Sequence, residues 1–446
     1  MSKSKQRNLT EGNVAKMLII FAFPLLISNM FQSLYSLVDI LIAGKFIGSN
    51  GISAINNSSQ VILIITKIAV GITQGGNIII GQYFGAKEEA KKKNAIGTLT
   101  ILSFFLGILS TVVFYFGAEP ILIKLGAPAL EEAKTYLQIC AIGLLFVWMY
   151  NAFSGILRAM GNSKLPMRCV MVSSVINIIL DYIFVAVLGM GTAGAAWATM
   201  ISQVISCMVA FSFLLANKSS FDFELPKMRV KGSETKKIFR LGIPSAIQMT
   251  IAGFSWLFVT FMINKYGMDA SAGNGISIKI KDMCQLLLMA LNLATSSMVA
   301  QNLGAKKYDR VMEIVNTAIK INLILATCTI ILCQIFGGSM VAFFSNNPAA
   351  IAAGTLNLKI EIFGQLFYAV FLIYNSLSIG AGQSEFAMFN SFLNCILVRV
   401  VLCIIFEKLW GLTGIYVACM IATFVSCPVG WLYARSGCWK RDIVSK

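Results

Sequence analysis

Runs of about twenty apolar residues follow one another along almost the whole of this chain, and the runs come in two copies. Each run is long enough for a helix to cross a hydrocarbon core of about 30 Å. In lipid, every backbone N–H and C=O must be satisfied within the protein, so repeated apolar runs leave few folds open. Twelve such runs are expected, near residues 16–42, 52–80, 94–117, 132–157, 165–188, 192–216, 238–266, 271–302, 314–338, 352–379, 386–406 and 411–434. The two copies are offset by about 220 residues. Gly81-Gln82-Tyr83-Phe84-Gly85-Ala86-Lys87 returns as Ala300-Gln301-Asn302-Leu303-Gly304-Ala305-Lys306, and Pro24 returns as Pro244. Gly161-Asn162-Ser163 is answered by Gly382-Gln383-Ser384, and Gly191 with Gly194 by Gly411 with Gly414.

Six helices per copy is an even number, so the second copy starts on the same face as the first and repeats its topology in parallel. The expected fold is all-α and membrane-integral, with twelve transmembrane helices in two pseudo-symmetric six-helix bundles. The first bundle is placed at residues 1–216 and the second at 238–446. Between them, 217–237 is polar, contains Pro226 and Gly232, and reads as a cytoplasmic linker. Duplicated membrane bundles carry substrate at the seam and work by moving one copy against the other, which points to a transporter.

Only 12% of residues are charged, about half the share in soluble domains. The net charge of +17 would suit nucleic acid, but its distribution does not. With the N-terminus inside, most basic residues fall in cytoplasmic segments: Lys3, Lys5 and Arg7, Lys87 with Lys91 to Lys93, Arg158, Lys164 and Arg168, the 217–240 stretch, then Lys306, Lys307, Arg310, Arg435, Lys440 and Arg441. The external side holds Lys45, Lys124, Lys134, Lys265 and Lys408. This positive-inside asymmetry places both termini in the cytoplasm, in a multi-pass protein of the cell membrane with no nucleic-acid partner. The basic start resembles a signal peptide, but the apolar stretch is too long and no small-residue cleavage site follows, so the first helix is expected to be retained. The 11 cysteines are scattered, without a C-x-x-C pair, and read as packing residues. Histidine is absent, which removes His-based zinc sites, Ser-His or Cys-His nucleophiles and imidazole proton relays. No enzyme and no cofactor is expected; proton traffic would have to run mainly through carboxylates.

An ionised side chain at the bilayer centre costs about 2.5–3.5 kcal/mol on insertion scales, so each needs a reason. Asp39 closes the first expected helix, with Tyr35, Gln32 and Ser28 on its face by helical spacing. Asp181 sits in the fifth, one turn after Asn177, and Thr199 lies at comparable depth in the sixth. One patch can thus hold two carboxylates, an amide and a hydroxyl. Such hard oxygen donors suit Na⁺. They also suit a proton, because two carboxylates in a poor dielectric share charge badly. The plainer alternative is a helix-end aspartate at the interface and a second that only bonds its neighbours. Pro24 removes a backbone hydrogen bond four turns before Asp39 and marks a bend.

The second copy has Val259 or Thr260 in place of Asp39. It is expected to bury Lys279, Lys281, Asp282, Lys359, Glu361 and Arg399, with Lys279 and Asp282 close enough to pair. These read either as internal ion pairs or as a basic patch for an acidic group. Gly189-Met190-Gly191-Thr192-Ala193-Gly194 fits G-x-G-x-x-G but joins two membrane helices instead of following a strand, so nucleotide binding is rejected. The glycosylation sequon Asn57-Ser58-Ser59 lies inside a helix.

Taken in order, Pro24, Val38-Asp39, Gly48, Gly81-Gln82, Gly85-Ala86, Arg158-Ala159-Met160-Gly161-Asn162-Ser163-Lys164, Asn177 with Asp181, and the Gly191 to Thr199 stretch resemble the multidrug and toxic compound extrusion (MATE) family. The resemblance covers essentially the whole chain and looks closest to the DNA-damage-inducible F-type branch and its archaeal relatives. It implies two six-helix lobes around a central cavity, and antiport of H⁺ or Na⁺ against amphipathic, cationic small molecules by a monomer. By position it implies a cation-binding and coupling site at Asp39, Asn177, Asp181 and Thr199, a bend at Pro24, and cavity residues Gln32, Tyr35, Asn151 and Met171. The chain departs from the branch that places acids in the second lobe, and buried lysines are unusual for a cavity that accepts cations. The alternative is a lipid-linked sugar flippase or organic-anion exporter of the same superfamily, with Lys279, Lys281, Lys359 and Arg399 binding phosphate or carboxylate.

Overall fold

A computed structural model describes residues 6–127 and 129–440, without the side chains at 49 and 50. Lys3, Lys5 and Arg441 of the charge pattern lie outside the described residues. Among those residues every regular element is helical. The first half contributes α1 (Val14–Phe46), α2 (Gly48–Ala86), α3 (Glu89–Phe116), the short α4 (Ala118–Lys124), α5 (Leu130–Ala159), α6 (Lys164–Asp181) and α7 (Gly191–Ala216). A π-helical stretch, Tyr182–Val187, prolongs α6. The connecting segment holds α8 (Lys218–Phe221) and a 3₁₀ turn, Leu225–Lys227. The second half runs through α9 (Gly232–Asn264), α10 (Met268–Gly304), α11 (Tyr308–Ala342), α12 (Pro348–Glu361), α13 (Gly364–Gly380), α14 (Ser384–Phe392), a second π-helical stretch at Leu393–Val398, α15 (Arg399–Ala422) and α16 (Ser426–Ser436).

Ten helical runs are long and apolar enough to cross a membrane, and α12 with α13, bent by 49° at their junction, supply an eleventh. The last of the ten, Ser384–Ser436, has 53 residues. At 1.5 Å per residue that is about 80 Å, far more than one crossing needs. Gly411, at φ 58° and ψ −137°, interrupts it with a kink, so the number of crossings among the described residues is approximately the expected twelve. Large apolar side chains point outward, among them Phe105, Leu109 and Phe116 on α3 and Ile324, Ile335 and Phe336 on α11. A surface of that kind belongs in lipid.

The duplicated letters turn out to be corners. α2 ends with Lys87 in the left-handed region at φ 59°, and α10 is followed by Lys306 at φ 58°. Both corners close with the same pair of bonds: Lys87 N–H to Phe84 O and Glu88 N–H to Tyr83 O, then Lys306 N–H to Leu303 O and Lys307 N–H to Asn302 O. Gly161 and Gly382 repeat this pattern after α5 and α13, at φ 80° and 72°. The carbonyls left over at a helix C-terminus are satisfied this way only if one residue turns left-handed.

Packing divides the chain into two compact units, and their limits do not follow the polar linker. One comprises Phe23–Ala246 with residues 6–8, the other Leu9–Ala22 with residues 247–440. Each therefore takes in the lead-in segment of the other half's first helix. In the second unit the Leu9 N–H donates to Gln301 Oε1 at 3.0 Å, and Asn302 Nδ2 donates to Leu9 O at 3.1 Å. Lys307 Nζ reaches Thr10 O at 2.9 Å, and an Arg310 Nη reaches Gly12 O at 2.8 Å. In the first unit the Tyr83 hydroxyl, at the position matching Asn302, donates to Glu234 Oε2 at 3.1 Å and accepts from Lys237 Nζ at 3.0 Å. Gly71 and Gly75 of α2 lie against Ala246, Ile238 and Gly242 of α9, where an added Cβ would stand 2.4–2.5 Å from backbone atoms. Small residues four apart let two membrane helices approach at backbone distance.

The connecting segment is itself docked on the first unit. Phe221 and Phe223 are buried, and Phe223 packs edge-on against Phe153 and Phe211. Asp222, between them at φ 51°, lies 2.9 Å from the buried Lys92 and 3.5 Å from Lys93. α9 begins at Gly232, inside the stretch read as linker. Asp39 does not close its helix either, because α1 continues to Phe46.

Two outcomes follow from this packing. Lys87→Gly and Lys306→Gly remove a left-handed penalty of about 1 kcal/mol each, so each should raise the thermal unfolding midpoint in detergent. Lower midpoints in both would mean that the lysine side chains, and not the corners, matter there. Phe223→Ala, a cavity costing about 3–5 kcal/mol, should release the segment and speed tryptic cleavage at Lys227, Arg229 and Lys231, which are exposed but held in a docked backbone. A cleavage rate equal to wild type would show that the aromatic anchor is dispensable.

Candidate functional site

α6 carries Ser174, Asn177 and Asp181 on one face, three and four residues apart. Asn177 is 2% exposed and Asp181 0%. Neither oxygen of Asp181, nor the amide oxygen or nitrogen of Asn177, nor the Ser174 hydroxyl has a hydrogen-bond partner among the described residues. On α1, Oδ1 of Asp39 is likewise buried and unpartnered. The charge of Asp39 acts on Asp181, and both act on Tyr35. α5 brings a third side to the patch. Its buried Tyr136 stands near Ser59 of α2, Thr199 of α7 and Cys140 one turn along, within the field of Asp39.

Asp39, Tyr35, Asn177, Asp181 and Thr199 are thus gathered inside the first unit. Gln32 is exposed, and Met171 is half-buried. Asn151 donates its side-chain amide to Val147 O at 2.8 Å, back along its own helix. Pro24 sits within α1 without ending it; Ser28, on the next turn, donates to Pro24 O at 3.0 Å. Tyr136, Cys140 and Ser59 were missed because nothing in an apolar run marks them as polar contacts. Ser174 was findable, three residues before Asn177. The patch offers hard oxygen donors only partly spent on the protein, the donor type that suits Na⁺ or a proton.

The second unit corrects the expected set of buried charges. Lys279, Asp282 and Lys359 are exposed, whereas Lys281, Glu361 and Arg399 are buried. The reason is angular: at 100° per residue Lys279 and Asp282 share a face of α10 that points away from Lys281. Lys281 forms an ion pair with Glu361 of α12 instead, and also reaches Asn357 Oδ1 at 3.4 Å. The alternative anion site loses Lys279 and Lys359 from the buried interior.

Comparison with known proteins agrees with this architecture. The chain is 28% identical over 438 residues to a probable multidrug resistance protein, YpnP, of Bacillus subtilis, covering 98% of each chain. It is 25% identical to the multidrug export protein MepA of Staphylococcus saprophyticus, over 92% of this chain and 91% of that one. A multidrug resistance MATE transporter of the MOP superfamily, solved in an outward-facing conformation, shares the fold with a TM-score of 0.92 at 22% identity, over 98% of both chains. The MatE family model matches twice, at residues 24–183 and 244–405, once in each copy. Two matched copies, the helical architecture and relatives spanning the full length leave one conclusion: this multi-pass membrane protein belongs to the MatE family.

Proposed function

We propose that the chain is a cation-coupled antiporter that exports amphipathic, cationic organic compounds as H⁺ or Na⁺ enters. The observation that carries this reading is the pair of acids in the first unit, the buried Asp181 and the half-buried Asp39, with Asp181 and Asn177 unpaired by any described residue and Oδ1 of Asp39 buried without a partner. A carboxylate left in a membrane interior without a partner is costly, and a cation that neutralises it regains that energy. The protein then has two states of different charge, and they favour different packings of the helices that carry the acids. Asp181 directly precedes the π-helical Tyr182–Val187, a wider turn of the kind found at functional sites. Asp39 rides on α1 together with Pro24, so binding at Asp39 is transmitted along a helix that lacks one backbone bond.

Export of drugs is supported by the names of the relatives, and direction follows from coupling. If cation binding lowers affinity for the exported compound, the compound must lower affinity for the cation by the same factor. Exchange then proceeds by rocking of the two repeats. In this reading both termini are cytoplasmic, the protein works as a monomer in the cell membrane, and no cofactor takes part.

Asp39→Asn and Asp181→Asn keep the side-chain volume and remove the charge, so each should yield folded, monodisperse protein whose efflux falls to background. Normal efflux in both would end the assignment. In proteoliposomes, a gradient of H⁺ or of Na⁺ imposed alone should accelerate transport, and the matching ionophore should abolish the gain. Transport indifferent to both gradients would rule out cation coupling while leaving a passive carrier.

A further inference from the structure

Cys284 of α10 and Cys333 of α11 bring their sulfurs to within 4.0 Å of each other across two neighbouring helices of the second unit. Both are free thiols; Cys333 is buried and Cys284 half-buried. Ile280, Ile330, Leu358 and Ile362 belong to the same apolar cluster. The spacing does not suit a disulfide, whose S–S bond of about 2.05 Å would require the sulfurs to close by about 2 Å. It comes nearer to what one bridging ion needs. Two metal–thiolate bonds of about 2.3 Å set end to end span about 4.6 Å, so a widening of about 0.6 Å admits the ion.

Sulfur donors select soft ions: Cu(I), zinc, or the irons of an iron–sulfur cluster. Zinc and iron–sulfur centres take at least three protein ligands. Among the described residues no group of three or more His, Cys, Asp or Glu could supply them. A soft ion satisfied by two sulfurs is the class that remains.

We infer that Cys284 and Cys333 form a binding site for one soft, two-coordinate metal ion of the Cu(I) class, which ties α10 to α11. Cys284 gives the ion access, and Cys333 supplies the second sulfur from the core. Binding exchanges a proton for the ion. The Cys284 thiol gives its proton to solvent and bonds the metal as thiolate, while the Cys333 thiol sulfur donates a lone pair. The product is neutral, as an apolar interior requires. Cys403 and Cys419, with sulfurs 3.9 Å apart on either side of Gly411, repeat the spacing, but both are buried and neither offers the same access. The site shares no residue with Asp39 or Asp181, so its failure leaves the coupling reading untouched.

The test treats the purified full chain, in non-ionic detergent and without oxygen, with one equivalent of Cu(I) buffered by bathocuproine disulfonate. Timed labelling with N-ethylmaleimide, read cysteine by cysteine in a mass spectrometer, follows each thiol separately. Cu(I) should slow labelling of Cys284 about tenfold, because a metal-bound thiolate is no longer free to attack. The exposed Cys328 and Cys438 should label at their usual rates. Cys333→Ser should shrink the protection of Cys284 to less than about twofold. Should that variant fail to fold, X-ray absorption at the copper edge of the wild-type complex decides, with two sulfur neighbours expected. Equal protection of Cys284, Cys328 and Cys438 would mean adventitious copper on lone thiols only and would overturn the site. A single sulfur neighbour, an unprotected Cys284 in wild type, or full protection in a folded Cys333→Ser would overturn it as well.

Discussion

A polar group inside hydrocarbon has no water to fall back on, so every one that stays there must find a partner in the protein or cost several kcal/mol. That constraint sorts the side chains of this molecule. Most hydroxyls and amides bond back along their own helix: Thr66 to Ile62, Thr73 to Ala69, Ser202 to Ala198, Asn151 to Val147 and Thr295 to Leu291. Lys281 is matched by Glu361. Asp39, Asn177 and Asp181 remain with atoms unspent, on two helices of one unit. Buried atoms without partners occur elsewhere as well, at Asn322, Gln365 and Asn394, but at Asp39 and Asp181 they belong to acids for which the described residues supply no ion pair.

The two units solve the same topological problem with different chemistry inside. Their corners are alike bond for bond, from Lys87 and Lys306 to Gly161 and Gly382, because a helix end restricts the backbone whatever the side chains do. Their interiors are free to diverge. The first carries the buried Asp181 and the half-buried Asp39 and, away from them, a buried Lys92 paired with Asp222, whereas the second carries Lys281, Arg399 and Glu361 around Trp256. One fold thus carries different charged residues in its two copies, and electrostatics within each follows from the residues that face inward.

Much of this was legible in the letters. Membrane-length runs and the repeat gave the helices and the duplication, since hydropathy and turn chemistry are local properties. Asn177 and Asp181 stood out because a charge in a span is conspicuous. Burial in the second half was not legible: a helix that is apolar nearly all round gives no periodic signal for which stripe meets protein and which meets lipid, so Lys279 and Lys359 looked as buried as Lys281. The connecting segment misled in the opposite sense. Its polar composition concealed Phe221 and Phe223, two aromatic anchors on either side of a left-handed aspartate. Tyr136 gave no sign at all, because a tyrosine in an apolar run is as often packing as polar contact.

The exchanged lead-in segments have a bearing on how such a chain could have arisen. Each unit holds, at its Gly81 or Ala300 corner, a polar side chain that grips the other half's lead-in segment: Gln301 and Asn302 hold the Leu9 backbone, and Tyr83 holds the Glu234 carboxylate. A solitary ancestor of one copy would own both the grip and the peg without being able to use them on itself. Trading pegs with an identical neighbour would satisfy both, as in a domain-swapped homodimer. Fusion of the genes would then have made a standing partnership permanent, and freed the two interiors to acquire different charges.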